Sequence, residues 1–232
     1  MLPFADFRRR AGVMVPGLTM LLRYGFQNAL WRGNNQRREV AITFDDGPSR
    51  EDSPQLLDLL ARRDTIATFF HLGDRIEQHP DLVQAVSAAG HQIGIHGYRH
   101  RTFLAENSES LRGQLAYTRH MLSETSRRPV EDFCDVRPPY GTFSPGTLRN
   151  LISWGYRPVM WSVVPLHWMQ PAAESIEHVE HWLAPGSIIV LHEGIGGPPL
   201  VPLVEDVIDR VDAAGYTPIS IDQMWQSLNI VA

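Results

Sequence analysis

Thr43-Phe44-Asp45-Asp46-Gly47-Pro48 follows the apolar run Val40-Ala41-Ile42, and its reading decides the fold. A short continuous run of this kind, closed by turn residues, predicts a buried strand. The strand stops at two adjacent carboxylates, and Gly47 and Pro48 then turn the chain. Successive side chains on a strand point to opposite faces, but where the backbone bends at a strand end both acids can reach one cavity. Two neighbouring acids repel, so a metal ion, an arginine or both must hold them ionised. An ordinary Asp-Gly turn is the plain alternative, and the rest of the chain decides between the two.

The chain has 232 residues, the size of one generous domain or one domain with an extension. Its hydrophobic content of 43% allows a sizeable core. Net charge is −5 without a long basic run, which argues against a nucleic-acid partner. All 21 basic residues are arginine, so P-loop, Schiff-base and Ser-Lys chemistries that need a lysine are excluded. Charge divides unevenly: up to residue 39 seven arginines face only Asp6 and Glu39, a net of +5, which leaves −10 on the remainder. That divides the chain into a basic N-terminal arm, residues 1–37, and an acidic body, residues 38–232. The arm is expected to lie on the body or on an anionic membrane surface.

Arg8-Arg9-Arg10 followed by the apolar run from Ala11 to Leu22 resembles the start of a signal sequence. The run is short, contains Pro16 and precedes no small-residue cleavage site, so no clear cleavable signal is read and the run is too short to span a bilayer. The expected location is the cytoplasm or the cell envelope. Cys134 has no partner for an internal disulfide and reads as a buried, inert thiol in a strand. The oligomeric state is not readable from the sequence.

After the arm, strand and helix patterns alternate through seven units. Predicted strands cover 40–44, 67–70, 92–95, 133–136, 158–163, 187–191 and 217–219. Ser53-Pro54 and Ser144-Pro145 read as cap-then-proline helix starts, and Gly90 and Gly215 as stops. Near-continuous apolar strands joined by helices predict a parallel sheet covered on both faces. Seven units predict a closed or nearly closed barrel, with an open doubly wound sheet as the alternative. Asp45, Asp46, His96, Arg137 and His192 all fall at C-terminal strand ends, the rim where catalytic groups of parallel barrels converge.

His96-Gly97-Tyr98-Arg99-His100 spaces two imidazoles four apart, which on a helical turn puts them on one face. With Asp46 they make a His₂Asp set that leaves a position open, as catalytic rather than structural metal sites do. His178 and His181 sit on a helix far from any strand end and read as solvent-facing, and His71 reads as structural.

TFDDGP at 43–48, HGYRH at 96–100, RPPYG at 137–141 and Ile189-Val190-Leu191-His192 together resemble, in order, motifs of the polysaccharide deacetylase family, the NodB-homology group of carbohydrate esterase family 4. The resemblance spans about residues 38–226. It implies an α/β fold, a distorted (β/α)7 barrel of the NodB-homology type, and metal-dependent removal of N- or O-acetyl groups from a sugar polymer. By matching position it implies Asp45 as general base, Arg137 as its charged partner, and Asp46, His96 and His100 as ligands of one divalent ion. The ion is read as zinc, with cobalt, nickel or iron also suited to the set. It further implies the backbone N–H of Tyr140 as an oxyanion donor, His192 as general acid, and Ile189 with Trp168 as walls of the acetyl pocket.

One position departs from the family pattern. The residue before the pocket tryptophan, where the family has an aspartate that charges the acidic histidine, is His167. A protonated imidazole there would lower the pKa of His192, so weaker or acid-shifted activity is expected unless Glu193 or Asp222 takes the carboxylate's place. The leading reading is a deacetylase acting on an acetylated glycan. The alternatives are a catalytically impaired carbohydrate-binding homologue and another amide hydrolase, deformylase-like, on the same fold.

Overall fold

The computed structural model describes residue 26 and residues 28–229. The signal-like segment, most of the basic arm and its expected membrane contact lie outside those residues. Seven parallel strands run as β1 (Glu39–Gly47), β2 (Thr68–His71), β3 (Gln92–Ile95), β4 (Asp135–Val136), β5 (Arg157–Pro158), β6 (Ile188–His192) and β7 (Thr217–Pro218). The helices are α1 (Ser53–Arg62), α2 (Gly73–Gln78), α3 (Pro80–Ala88), α4 (Ser108–Ser126), α5 (Pro145–Ser153), α6 (Ala172–Trp182), α7 (Leu200–Ala213) and α8 (Ile221–Asn229).

The strand order is β5-β4-β3-β2-β1-β6, with β7 paired to the first residues of β1. The ring closes through the segment that follows β5: Val163 bridges Ile189 in parallel, and the Val190 N–H donates to the Val163 carbonyl at 3.0 Å. A barrel closed by so narrow a seam is distorted, and the open-sheet alternative is excluded. β5 is shorter than expected: from Pro158 onward the chain also pairs with Leu30, whose N–H donates to the Pro158 carbonyl at 2.8 Å and whose carbonyl accepts the Met160 N–H at 2.7 Å. Residues 28–33, from the end of the arm, lie on the body. Leu30 bridges Val159, and the Gly33 N–H donates to the Gly186 carbonyl at 2.8 Å.

Alternation along the strands sorts side chains into two sets. Val40, Ile42, Phe44, Phe69, Ile93, Ile95, Val136, Ile189 and Leu191 pack outward against the helices, among them Leu56, Leu59 and Val207. Ala41, Phe70, Val159 and Ile188 form a separate cluster that fills the barrel with Leu30, Ile221 and Met224. Gly94 makes room there, since a Cβ at that position would lie 2.6 Å from the Phe70 ring. No helix among the described residues is long and apolar enough to cross a membrane.

Some local expectations change. Ser53 is the first residue of α1, not its cap; its hydroxyl donates to Glu193 instead. Ser144 does cap α5, accepting from the Thr147 N–H at 3.0 Å. Cys134 lies just before β4 and is half-buried rather than enclosed. His181 is exposed, but His178 is half-buried against Trp182.

Candidate metal centre

The two carboxylates reach one cavity through a bulge inside the strand, not at its end. β1 continues through both acids to Gly47, and its pairing with β2 slips between Asp45 and Gly47, which oppose Phe70 and His71. Asp46 is the extra residue, with φ at +69°, a left-handed conformation uncommon for residues other than glycine. Asp45 faces the barrel by simple alternation with Ala41 and Thr43. Asp46 would point the other way, towards the helices, and the bulge turns it back.

Arg137 fixes Asp45. Its guanidinium is fully buried and donates to Asp45 Oδ1 at 2.6 Å, to Thr43 Oγ1 at 2.8 Å and to the Met160 carbonyl at 3.0 Å. Its carbon lies 4.1 Å from the centre of the Phe70 ring. Such a charge-assisted contact is short and strong in a site with little water.

The histidines are not on a helical turn. Residues 96–100 form a bent loop in which Gly97 adopts φ +94°. The loop is held by α2, a helix the sequence pattern did not reveal. The N–H groups of Gly73 and Asp74 at its first turn donate to the Gly97 and Tyr98 carbonyls at 3.0 and 2.9 Å. His96 Nδ1 lies 2.8 Å from the Arg137 carbonyl. A carbonyl only accepts, so Nδ1 carries the proton and Nε2 presents its lone pair to the cavity.

Asp46 Oδ1 stands 3.5 Å from His96 Nε2 and 3.4 Å from His100 Nε2. One ligand atom from each of these three residues lies within 4.8 Å of the others. Asp46 Oδ1 is buried and has no hydrogen-bond partner among the described residues. Burial first, then the Asp45 charge, pushes the Asp46 carboxyl up to about 7. Burial likewise drives His96 well below the usual imidazole range and lowers His100. The His96 Nε2 lone pair and the uncharged His100 imidazole, beside an unsatisfied carboxylate oxygen, fit a divalent cation, whose charge would offset the burial cost.

Around this set lies a cavity of about 520 Å³. Tyr140, at φ +58°, sets its ring edge against His100 at 4.3 Å and is 63% exposed at the mouth. Trp168 and His192 face each other at 4.5 Å between ring centres. Trp161, Val164, Leu166, Val190 and Ile195 supply the remaining apolar wall. Ile189, expected in that wall, is turned outward into the helix-packed core, and Val190 takes its place. The parity of the strand decides this: Val190, two residues before His192, shares its face.

His167 does meet His192. Its Nε2 accepts the His192 backbone N–H at 3.1 Å and lies 3.4 Å from His192 Nδ1. Burial holds His167 at about 4 and His192 at about 3. His167 is therefore a neutral acceptor, not the cation that the sequence suggested. Neither candidate replacement carboxylate joins them. Glu193 binds Ser53, and Asp222 pairs with Arg157 at 2.9 Å at the other end of the barrel.

A family model described as polysaccharide deacetylase matches residues 32–159. A peptidoglycan-N-acetylglucosamine deacetylase of Bacillus cereus is 31% identical over 198 residues, covering 84% of this chain and 71% of that protein. A chitooligosaccharide deacetylase of Rhizobium leguminosarum bv. trifolii is 37% identical over 160 residues, covering 68% of this chain and 72% of its own. The crystal structure of the peptidoglycan N-acetylglucosamine deacetylase Bc1960, in complex with a naphthalenyl N-oxidanyl-benzamide, superposes with a TM-score of 0.80 at 30% identity, covering 86% of this chain and 93% of that one.

Proposed function

The chain belongs to the polysaccharide deacetylase family, and from that premise we propose that it is a metal-dependent hydrolase removing acetyl groups from N-acetylated, or O-acetylated, sugars of a glycan. The observation that carries the reading is the convergence of Asp46, His96 and His100 beside an aspartate held by a buried arginine. Asp46, His96 and His100 would hold one divalent ion, zinc or another ion suited to a His₂Asp set. When bound, it would supply a Lewis acid that lowers the pKa of water and polarises the acetyl carbonyl.

The chain's own residues do the rest. Asp45, with Oδ1 engaged by Arg137, keeps Oδ2 available to take a proton from the attacking water. Val190, Leu166 and Trp168 receive the acetyl methyl and exclude bulk water. The Tyr140 N–H is assigned to the negative charge that develops on the carbonyl oxygen. His192 is assigned to the leaving nitrogen, Nδ1 being directed at His167 and Nε2 at the substrate; donation from Nε2 requires the imidazolium, which burial disfavours without the carboxylate that the family pattern puts at residue 167. The substrate class follows from the relatives, whose names give acetylated peptidoglycan and chitooligosaccharides as what they act on.

Acetate release from acetylated chito-oligomers and from peptidoglycan tests the reading. Wild-type protein should release acetate, a chelator should stop release, and zinc should restore it. Asp45→Asn should lose about 10²–10⁴-fold in kcat. Ion binding without acetate release from either polymer would favour the impaired, glycan-binding homologue, a reading that the missing carboxylate beside His192 supports.

A further inference from the structure

On the helix-facing side of the bulge lies a buried acid that the mechanism does not use. Glu193 follows the proposed general acid and is fully buried, as are His71 and Ser53. Its backbone N–H donates to the Asp45 carbonyl at 2.9 Å. Its Oε1 accepts from the Ser53 hydroxyl, and Ser53 Oγ in turn accepts the Ser49 N–H at 2.9 Å. Its Oε2 has no hydrogen-bond partner among the described residues and lies 4.0 Å from His71 Nε2. Gly47 closes directly over this carboxyl. A Cβ at residue 47 would collide with Oε2, would lie 2.8 Å from Glu193 Cδ and would lie 3.2 Å from His71 Cδ2.

The bulge is thus gripped from both sides. On the β2 side the Leu72 N–H donates to the Gly47 carbonyl at 2.9 Å. On the β6 side Glu193 holds Asp45 by its backbone and props Gly47 by its side chain. One residue further, the Gly194 N–H donates to Asp52 Oδ2 at 2.6 Å and ties the end of β6 to the start of α1. An Asp46 at φ +69° persists only where its neighbours over-determine it. A buried carboxyl is costly to keep, and this one packs on the backbone of the residue that follows Asp46.

We propose that Glu193 is a positioning residue whose buried side chain holds the Asp45-Asp46-Gly47 bulge and so sets where both carboxylates point. The proposal rests on the ion-site reading given above. Burial, which pushes Glu193 up to about 8, is in keeping with an uncharged prop rather than an ion-pair partner.

The test titrates metal-free protein with Co²⁺ alone, following its visible absorption and competition with a chromogenic chelator, with melting temperatures recorded in parallel. Glu193→Ala should weaken Co²⁺ binding by more than about tenfold and alter the spectrum, whereas Glu193→Gln, which keeps the shape, should stay within about threefold of wild type. Gly47→Ala should also weaken binding. Combined with Glu193→Ala it should cost less than the product of the two single losses, because the first change removes what the second collides with. Wild-type affinity and spectrum in Glu193→Ala, even with a lowered melting temperature, would overturn the proposal, as would wild-type affinity in Gly47→Ala or independent losses in the pair. If Asp46→Ala binds Co²⁺ as wild type does, the ion-site reading fails and this proposal falls with it.

Discussion

Where the strands begin, at one end of the barrel, the buried Asp135 carboxylate has every lone pair occupied. Arg157 donates to it twice, at 3.0 and 2.7 Å, Gln92 at 2.6 Å and the Trp225 indole at 3.0 Å. Two residues further along the same chain, Arg137 serves the other end, where Asp46 Oδ1 has no hydrogen-bond partner among the described residues and the Nε2 atoms of two imidazoles face it. Both ends hide charge from water at a cost. The first end offsets that cost with four donors of the fold itself, and the second leaves it to be offset by a ligand. Incomplete pairing, rather than burial, separates the working end from the structural one.

Substituting matching aspartates breaks the comparison most sharply. Asp45→Asn should lose about 10²–10⁴-fold in kcat, while Asp135→Asn should leave kcat of the folded enzyme within about threefold of wild type. Asp135→Asn should instead lower stability by about 3–5 kcal/mol in urea unfolding, since it strands part of the Arg157 pairing in a buried site. Equal activity losses in the two variants would end the distinction between the barrel's ends.

Stability at the working end should move the other way. Asp46→Asn in metal-free protein removes a buried, unpartnered carboxylate oxygen that crowds Asp45, and should raise stability by about 1 kcal/mol while abolishing Co²⁺ binding. A loss of stability comparable with that of Asp135→Asn would show that Asp46 is a structural group.

A smaller effect concerns His192. His192 Nδ1 lies 3.4 Å from the present His167 Nε2, so a carboxylate introduced at residue 167 favours the protonated imidazole, and His167→Asp should move the alkaline limb of kcat/KM upward by about one pH unit. The sign is fixed, because raising the pKa of an acid catalyst extends its charged fraction to higher pH. An unchanged profile would remove His192 from the proton-donating role.

A further pH effect concerns His71, on the helix side of the bulge. Burial lowers its pKa from 6.5 to about 3. Unfolded chain therefore binds a proton that folded chain refuses, and stability is lost as pH falls from about 6.5 through about 3, by about 1.4 kcal/mol per pH unit. Glu193, raised from 4.5 to about 8, acts oppositely, its contribution being lost as pH rises through that window. His71→Phe should flatten the acid side of the stability profile; an unchanged slope would mean that His71 charges freely in the fold.

The rim of the barrel was legible because each of Asp45, His96, Arg137 and His192 follows an apolar run whose end marks the same level of the sheet. Side-chain direction was legible only where parity is undisturbed. Val190 rather than Ile189 lines the cavity because it shares a face with His192, a distinction that counting two residues back would have made. Asp46 could not be placed by counting, since its direction depends on a bulge, and nothing in Phe44-Asp45-Asp46-Gly47 states where pairing with β2 slips. The HGYRH spacing suggested a helix, yet the loop is bent at Gly97 and held by α2. That helix is six residues long, too short for a periodic pattern to show. Glu193 was legible by the same parity: next to His192 at the end of β6, it faces the opposite side of the barrel wall and so is not placed to be its partner.

Anomalous diffraction at the zinc edge from crystals grown with Zn²⁺ decides whether Asp46, His96 and His100 share one ion. One strong peak per chain is expected, within bonding distance of those three side chains, with Asp45 alongside but held by Arg137. A peak elsewhere, or none at those three side chains, would contradict a shared ion site.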